Sequence, residues 1–204
     1  MTTSLVLRGA LAALHALRRD DDVVVTTMAP AREWMALGPA HPLDLVLVPS
    51  SMGQATSFAL GIALAQPHRR VIVCNGDGSM LMNLGSLVTI AAAAPPNLVL
   101  LLFDNGVYEV TGAQPTPGAG RVDFAAVARA SGITSVHRFD DLARFTAALP
   151  DLLGAPGPTF VALDTLAEPG RPGPRSPGPA GERGTRLRAA LSAGATSTLV
   201  APRT

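Results

Sequence analysis

Val71–Leu87 reads VIVCNGDGSMLMNLGSL. Four apolar residues lead into Asn-Gly-Asp-Gly-Ser, and an apolar segment with helical spacing follows. The run VIVC suits a strand buried on both faces, so the stretch reads as strand, tight turn, helix. Gly76 and Gly78 let the backbone approach a ligand and take dihedrals that other residues resist. A helix beginning at Ser79 offers free N–H groups to an anion such as phosphate. Asp77 in that position would repel a phosphate unless a cation lay between them. Mg2+ suits the gap, because it is a hard ion often held by few protein oxygens plus substrate phosphates. Taken alone, Asp77 reads first as a helix cap.

The same alternation extends in both directions. Strand candidates are DVVVTT (Asp22–Thr27), LDLVLV (Leu43–Val48), RVIVCN (Arg70–Asn75), NLVLLLF (Asn97–Phe103), a short run at Thr134–His137, and PTFVALD. Between them lie helical segments: Ser4–Arg18, AREWMALG after Pro30, the Ala-rich Met52–Gln66, Ser79–Ala94, FAAVARASG and DDLARFTAAL. The strands are apolar throughout rather than alternating, which marks strands covered on both faces. The pattern predicts a doubly wound α/β domain: a mostly parallel sheet of about six strands with helices on both faces. Ligands of such sheets bind beyond the carboxyl ends of the strands, where the NGDGS and DNG turns fall. This domain is expected over residues 1–165. Residues 166–204, with EPGRPGPRSPGPAGERG, read as a Pro/Gly/Arg-rich arm ending in a short helix near Thr185–Ala193.

Composition narrows the function. With 48% hydrophobic and 15% charged residues, the chain is built to bury a core. A net charge of +1, with no basic cluster interleaved with aromatics, gives no footing for nucleic acid or an anionic membrane. Cys74 is the single cysteine and sits in an apolar run, so it reads as a buried hydrophobe and no intrachain disulfide can form. The N-terminus lacks a leading basic region and carries Arg8 within its apolar part, unlike a signal peptide. LVLLLF is far too short to span a bilayer. A cytoplasmic protein is therefore expected. His15, His41, His68 and His137 have no ligand spacing and read as surface residues.

A second element shifts the reading of Asp77. LLLFDNGVYEVTG ends the next strand and places Asn105 in its turn, twenty-eight positions after Asp77. An Asn oxygen is a hard, neutral ligand that can complete a cation site without adding charge beside a diphosphate. Asn-Gly otherwise suggests a hairpin, but no matching strand is expected directly after it. GDG, an apolar helix and strand, and then Asn at this spacing resembles the signature of thiamine-diphosphate enzymes, in their diphosphate-binding (PP) domain. The runs SMGQATSFALGIALA, GDGSMLMNLGSLVTIA and DNGVYEVTGAQPT resemble one branch almost continuously from Ser51 to Thr116. That branch is the β subunit of sulfopyruvate decarboxylase and the related phosphonopyruvate decarboxylases.

The resemblance implies roles. Asp77, the Asn105 side chain and the Val107 carbonyl would hold Mg2+. Gly76, Gly78, Ser79 and Tyr108 would border thiamine diphosphate, with backbone N–H groups of Gly78 and Ser79 on the diphosphate. Met52 would wedge beneath the cofactor and keep its rings in a V, with Ser50 and Ser51 beside it, and the backbone of Ser50 and Met52 would bond the pyrimidine edge. Tyr108, Glu109, Thr111 and Gln114 could close over the substrate. The glutamate that protonates the pyrimidine is missing, because Glu33 and Glu109 are badly placed and no second α/β unit is expected. A pyrimidine-domain (α) subunit would supply it in a hetero-oligomer such as α2β2 or larger. The implied activity is non-oxidative decarboxylation of a 2-oxo acid, sulfopyruvate or phosphonopyruvate. Rival readings are an acetolactate synthase-like carboligase subunit and a non-catalytic regulatory subunit that keeps the cofactor fold.

Overall fold

A computed structural model describes residues 5–48, 51–168 and 176–193. The chain runs α1 (Leu7–Leu17), β1 (Val23–Thr27), α2 (Met28–Met35), β2 (Asp44–Leu47), α3 (Ala55–Ala65), β3 (Val71–Gly76), α4 (Asp77–Leu81) and α5 (Ser86–Ala93). It continues with β4 (Leu98–Asp104), β5 (Val107–Tyr108), β6 (Gln114–Pro115), α6 (Phe124–Ala130), β7 (Ser135–Phe139), α7 (Leu142–Gly154), β8 (Thr159–Asp164) and α8 (Ala180–Ala193).

Six strands form one sheet in the order β2-β1-β3-β4-β8-β7, and every ladder in it is parallel. Val71 and Val73 face one cluster, with Ala59, Leu87, Ile90, Phe124 and Ala128 of α3, α5 and α6. Ile72 and Cys74 face the other, with Leu11, Leu14, Trp34, Phe145 and Leu149 of α1, α2 and α7. Every residue of β1 is buried, as the continuous apolar run predicts. The chain winds outward from β1 to β2 and the other way from β3 to β4. The sheet therefore reverses between β1 and β3, where a crevice opens beyond the strand ends. No helix among the described residues is long and apolar enough to cross a membrane.

Three expectations need correction. The helix expected over Ser79–Ala94 breaks into α4 and α5. At the break the Met82 and Asn83 N–H groups bond three residues back, and the Asn83 amide donates to the Gly53 carbonyl at 3.0 Å. The Ser86 hydroxyl also donates to the Asn83 carbonyl. Side chains thus take over groups that a continuous helix would have used. Asn105 is followed by a small antiparallel ribbon, because Val107 pairs with Pro115 and Tyr108 with Gln114. Asn-Gly precedes this ribbon and is not its turn. The last helix begins at Ala180, buries Leu187 against the core and sends Arg183 to the Val46 and Val48 carbonyls on the outer edge of β2.

Candidate active site

The carboxyl ends of β1, β3 and β4 border a small cavity of about 70 Å³. Met52, Gly76, Asp77, Gly78, Ser79, Asn105, Val107 and Tyr108 all line it, so residues from three separate stretches of the sequence converge there. Ser51 lies just outside the lining, and Ser50 falls outside the described residues.

Asp77 opens α4 and is 3% exposed. Thr116 donates its hydroxyl to Asp77 Oδ2 at 3.0 Å. No ion pair reaches this carboxylate among the described residues. Burial pushes its carboxyl above the ordinary range, while the bonds from Thr116 and from backbone N–H groups oppose the shift. Asp104 ends β4 opposite Asp164 of β8. Its carboxyl is pushed up to about 6, first by burial and then by the Asp77 and Asp164 charges. Arg138 answers Asp164, at 2.8 Å, rather than the other two. Negative charge is thus concentrated at the strand ends without an equal positive charge among the described residues.

Asn105 sits in the turn after β4. Its Oδ1 accepts the Val107 N–H at 3.0 Å, and its Nδ2 donates to Glu109 Oε1 at 2.9 Å. The Thr116 N–H donates to the Gly106 carbonyl at 2.8 Å, so the next pair, Val107 and Pro115, is a non-hydrogen-bonded one and the Val107 carbonyl turns away from β6. Asp77, Asn105 and Val107, which carry a carboxylate, an amide oxygen and a peptide carbonyl, all line the cavity. They are hard oxygen donors of the kind that suit Mg2+ and not a soft metal. No group of three His, Cys, Asp or Glu among the described residues offers a competing metal site.

Gly78 is required by close approach, since a Cβ there would run into the Tyr108 ring. Ser79 is 2% exposed, and its hydroxyl accepts the Gly53 N–H at 3.0 Å, tying the start of α4 to the turn before α3. Gly53 has φ +78°, in the region that favours glycine. Met28, at the end of β1, also lines the cavity with φ 57°, an uncommon conformation for a residue with a long side chain. Reasoning from sequence missed Thr116, Asp104 and Met28. Thr116 lies thirty-nine positions from Asp77, and no local pattern links them. Asp104 had a legible signal, the final charged residue of an apolar strand beside Asn105.

A larger cavity of about 670 Å³ lies elsewhere, between the outer edge of β2, the end of α2 and α8. None of the residues singled out from the sequence for cofactor or metal lines it.

Comparison with known proteins follows the same site. Residues 22–163 match the family model described as thiamine pyrophosphate enzyme, C-terminal TPP binding domain. Phosphonopyruvate decarboxylase of Streptomyces hygroscopicus is 44% identical over 154 residues, which cover 74% of this chain and 37% of that protein. Sulfopyruvate decarboxylase subunit beta of Methanothermobacter thermautotrophicus is 44% identical over 126 residues, covering 60% of this chain and 65% of the relative. This chain therefore spans about a third of the first relative and about two thirds of the second. An X-ray structure of a candidate thiamin diphosphate-dependent enzyme from Mycobacterium smegmatis shares the fold. Its TM-score is 0.70 at 24% identity, over 82% of this chain and 33% of the other. With most of its length matched by the family model, the chain belongs to the thiamine pyrophosphate enzymes, in their C-terminal TPP-binding domain.

Proposed function

We propose that this chain is the thiamine-diphosphate- and Mg2+-binding component of a 2-oxo acid decarboxylase of the sulfopyruvate or phosphonopyruvate type. One observation carries the reading: Asp77 is buried, bordered by neutral oxygen donors, and without a cation of its own among the described residues. Asp77, the Asn105 amide oxygen and the Val107 carbonyl hold Mg2+. Thr116 donates to Asp77 Oδ2 and so steadies the carboxylate that would face the metal. Backbone N–H groups of Gly78 and Ser79 meet the diphosphate. Met52 supports the cofactor rings from below. Bound thiamine diphosphate supplies the electron sink for loss of CO2.

Two observations support a partner subunit that completes the site and brings the glutamate. The cavity of about 70 Å³ is far smaller than the roughly 300–1,000 Å³ of ordinary ligand pockets, so this chain forms only one wall. The adjoining α3 and α4–α5 segment also expose Phe58, Leu64, Met82 and Val88, each about half exposed or more. The two segments are joined by a 2.9 Å bond between Thr56 and Ser86. Several exposed apolar side chains on adjoining helices favour a protein interface. No basic side chain lines the cavity among the described residues, so recognition of a sulfonate or phosphonate falls to the partner.

The test is reconstitution with the cognate α subunit, Mg2+ and thiamine diphosphate. CO2 release from sulfopyruvate or phosphonopyruvate is expected. Silence across a panel of 2-oxo acids would remove the decarboxylase assignment. Condensation products with a second oxo compound would favour a carboligase instead. That reading ranks second: acetolactate synthase isozyme 1 large subunit of Escherichia coli is 24% identical over 176 residues. A regulatory role would be revealed if Asp77→Ala left the activity of the heteromer intact.

A further inference from the structure

We infer that Glu109 is a positioning residue: it sets which end of the Asn105 amide faces the cation and ties that choice to the segment after β8. The inference deepens the cofactor reading and rests on it for the metal, though not for the tie.

The two ends of an Asn amide have nearly the same shape, but only the oxygen can ligate a cation. Something must therefore choose between them. In this chain two contacts make the same choice. Oδ1 accepts the Val107 N–H at 3.0 Å, and Nδ2 donates to Glu109 Oε1 at 2.9 Å. Turning the amide over would set Nδ2 against an N–H and Oδ1 against a carboxylate, so both contacts would become repulsive. The bond to Glu109 carries a charge on its acceptor, and such bonds are about twice as strong as neutral ones. Glu109 is thus the stronger of the two selectors.

The same Oε1 also accepts the Glu168 N–H at 2.8 Å. The chain from Thr165 to Glu168 crosses the carboxyl ends of the strands. Its other anchors are Thr165 N–H on the Asp104 carbonyl, at 2.8 Å, and Leu166 N–H on the Leu5 carbonyl, at 3.1 Å. One carboxylate oxygen therefore joins a proposed metal ligand to the strap that leaves β8. Loosening the strap withdraws a partner from Glu109, and moving Glu109 frees the Asn105 amide to turn.

The experiment compares Glu109→Ala and Glu109→Gln in the full chain. Glutamine keeps a carbonyl oxygen that can accept both N–H groups, whereas alanine keeps neither bond. Amide hydrogen exchange at Glu168, without metal or cofactor, reads the tie directly. Calorimetry of thiamine diphosphate binding to the heteromer at graded Mg2+ reads the orientation. Groups that orient metal ligands typically change metal affinity about 10–100-fold when removed. Glu109→Ala should therefore raise the Mg2+ requirement about tenfold. It should also speed exchange at Glu168, and Glu109→Gln should restore both readouts. Wild-type Mg2+ dependence in Glu109→Ala overturns the inference, as does a Gln variant no better than Ala. Unchanged exchange at Glu168 overturns the tie. Absence of Mg2+-dependent binding in the wild-type heteromer refutes the cofactor reading instead, and the exchange result still decides the tie.

Discussion

The two ends of the sheet treat charge in opposite ways. At the amino ends of the strands, Asp22 is fully buried, yet Arg70 pairs with it and reaches on to the Leu153 carbonyl. Nearby, Arg18 holds Asp44 at 2.7 Å and the His41 ring at 2.8 Å. Each carboxylate there has its guanidinium, and the pairs fasten helices to strands. At the carboxyl ends, Asp77 and Asp104 have no cationic partner among the described residues, and Asp104 is pushed up to about 6. Buried unpaired charge opposes folding. Arg138 pairs with Asp164 at this end, but no ion pair among the described residues neutralises Asp77 or Asp104, so these two carboxylates suit a cation that the described chain does not itself supply.

This contrast can be broken by mutation, and the largest effect belongs to the paired end. Asp22→Ala strands the Arg70 guanidinium, which is 11% exposed, and should cost about 3–5 kcal/mol of stability in urea unfolding. Cofactor affinity of the fraction that stays folded should not change. A loss below 1 kcal/mol would show that the pair contributes little and that the two ends are alike.

At the other end the signs reverse. Asp77→Asn should weaken Mg2+-dependent thiamine diphosphate binding about 100-fold or more, equivalent to about 2.7 kcal/mol. The same variant should raise the unfolding midpoint of the cofactor-free protein, because a buried unpaired carboxylate is gone. A lower midpoint would mean that Asp77 serves the fold as a cap, and the contrast would fail.

Gly78→Ala probes shape rather than charge. Its Cβ meets the Tyr108 ring, so it should cost about 1–3 kcal/mol of stability. Adding Tyr108→Ala should recover most of the loss. If the double variant is as unstable as Gly78→Ala, the backbone and not the ring sets the need for glycine.

The smallest effect is a pH dependence at the paired end. His41 Nδ1 accepts N–H groups from Arg18 and Leu43, so it must be unprotonated, and burial followed by the Arg18 charge holds its pKa below 6.5. The folded protein then binds fewer protons at this site than the unfolded chain. The stabilisation is complete above 6.5 and is lost as pH falls through that value toward the lower folded one. His41→Asn should flatten the stability profile below pH 6.5, since the lowered imidazole is then gone. An unaltered profile would assign the acid sensitivity to other groups.

Much of the fold was legible because buried parallel strands must be apolar on both faces. VVV, VIVC and LVLLLF therefore announce themselves without reference to the rest of the chain. Asp77 and Asn105 were legible for a related reason, since each lies directly after such a strand and the strand ends of a doubly wound sheet are where ligands sit. The break between α4 and α5 was not legible. It depends on Asn83 reaching Gly53 and Ser57 of another element, and the apolar spacing runs through it unchanged. The ribbon of β5 and β6 escaped notice because two-residue strands carry no periodicity.

By itself the sequence determined the order of the six main strands and most of the helices between them, the parallel sheet, and the two turns that bear Asp77 and Asn105. These are local matters, set by which side chains can be buried and which turns glycine permits. Only the tertiary structure decided that Thr116 would grip Asp77, that Glu109 would bind both Asn105 and the chain after β8, and that no guanidinium among the described residues would reach Asp77. Those facts join residues far apart along the chain. Coulomb energy and hydrogen bonding depend on distance in space, which the parallel sheet sets when it brings all its strand ends to one side.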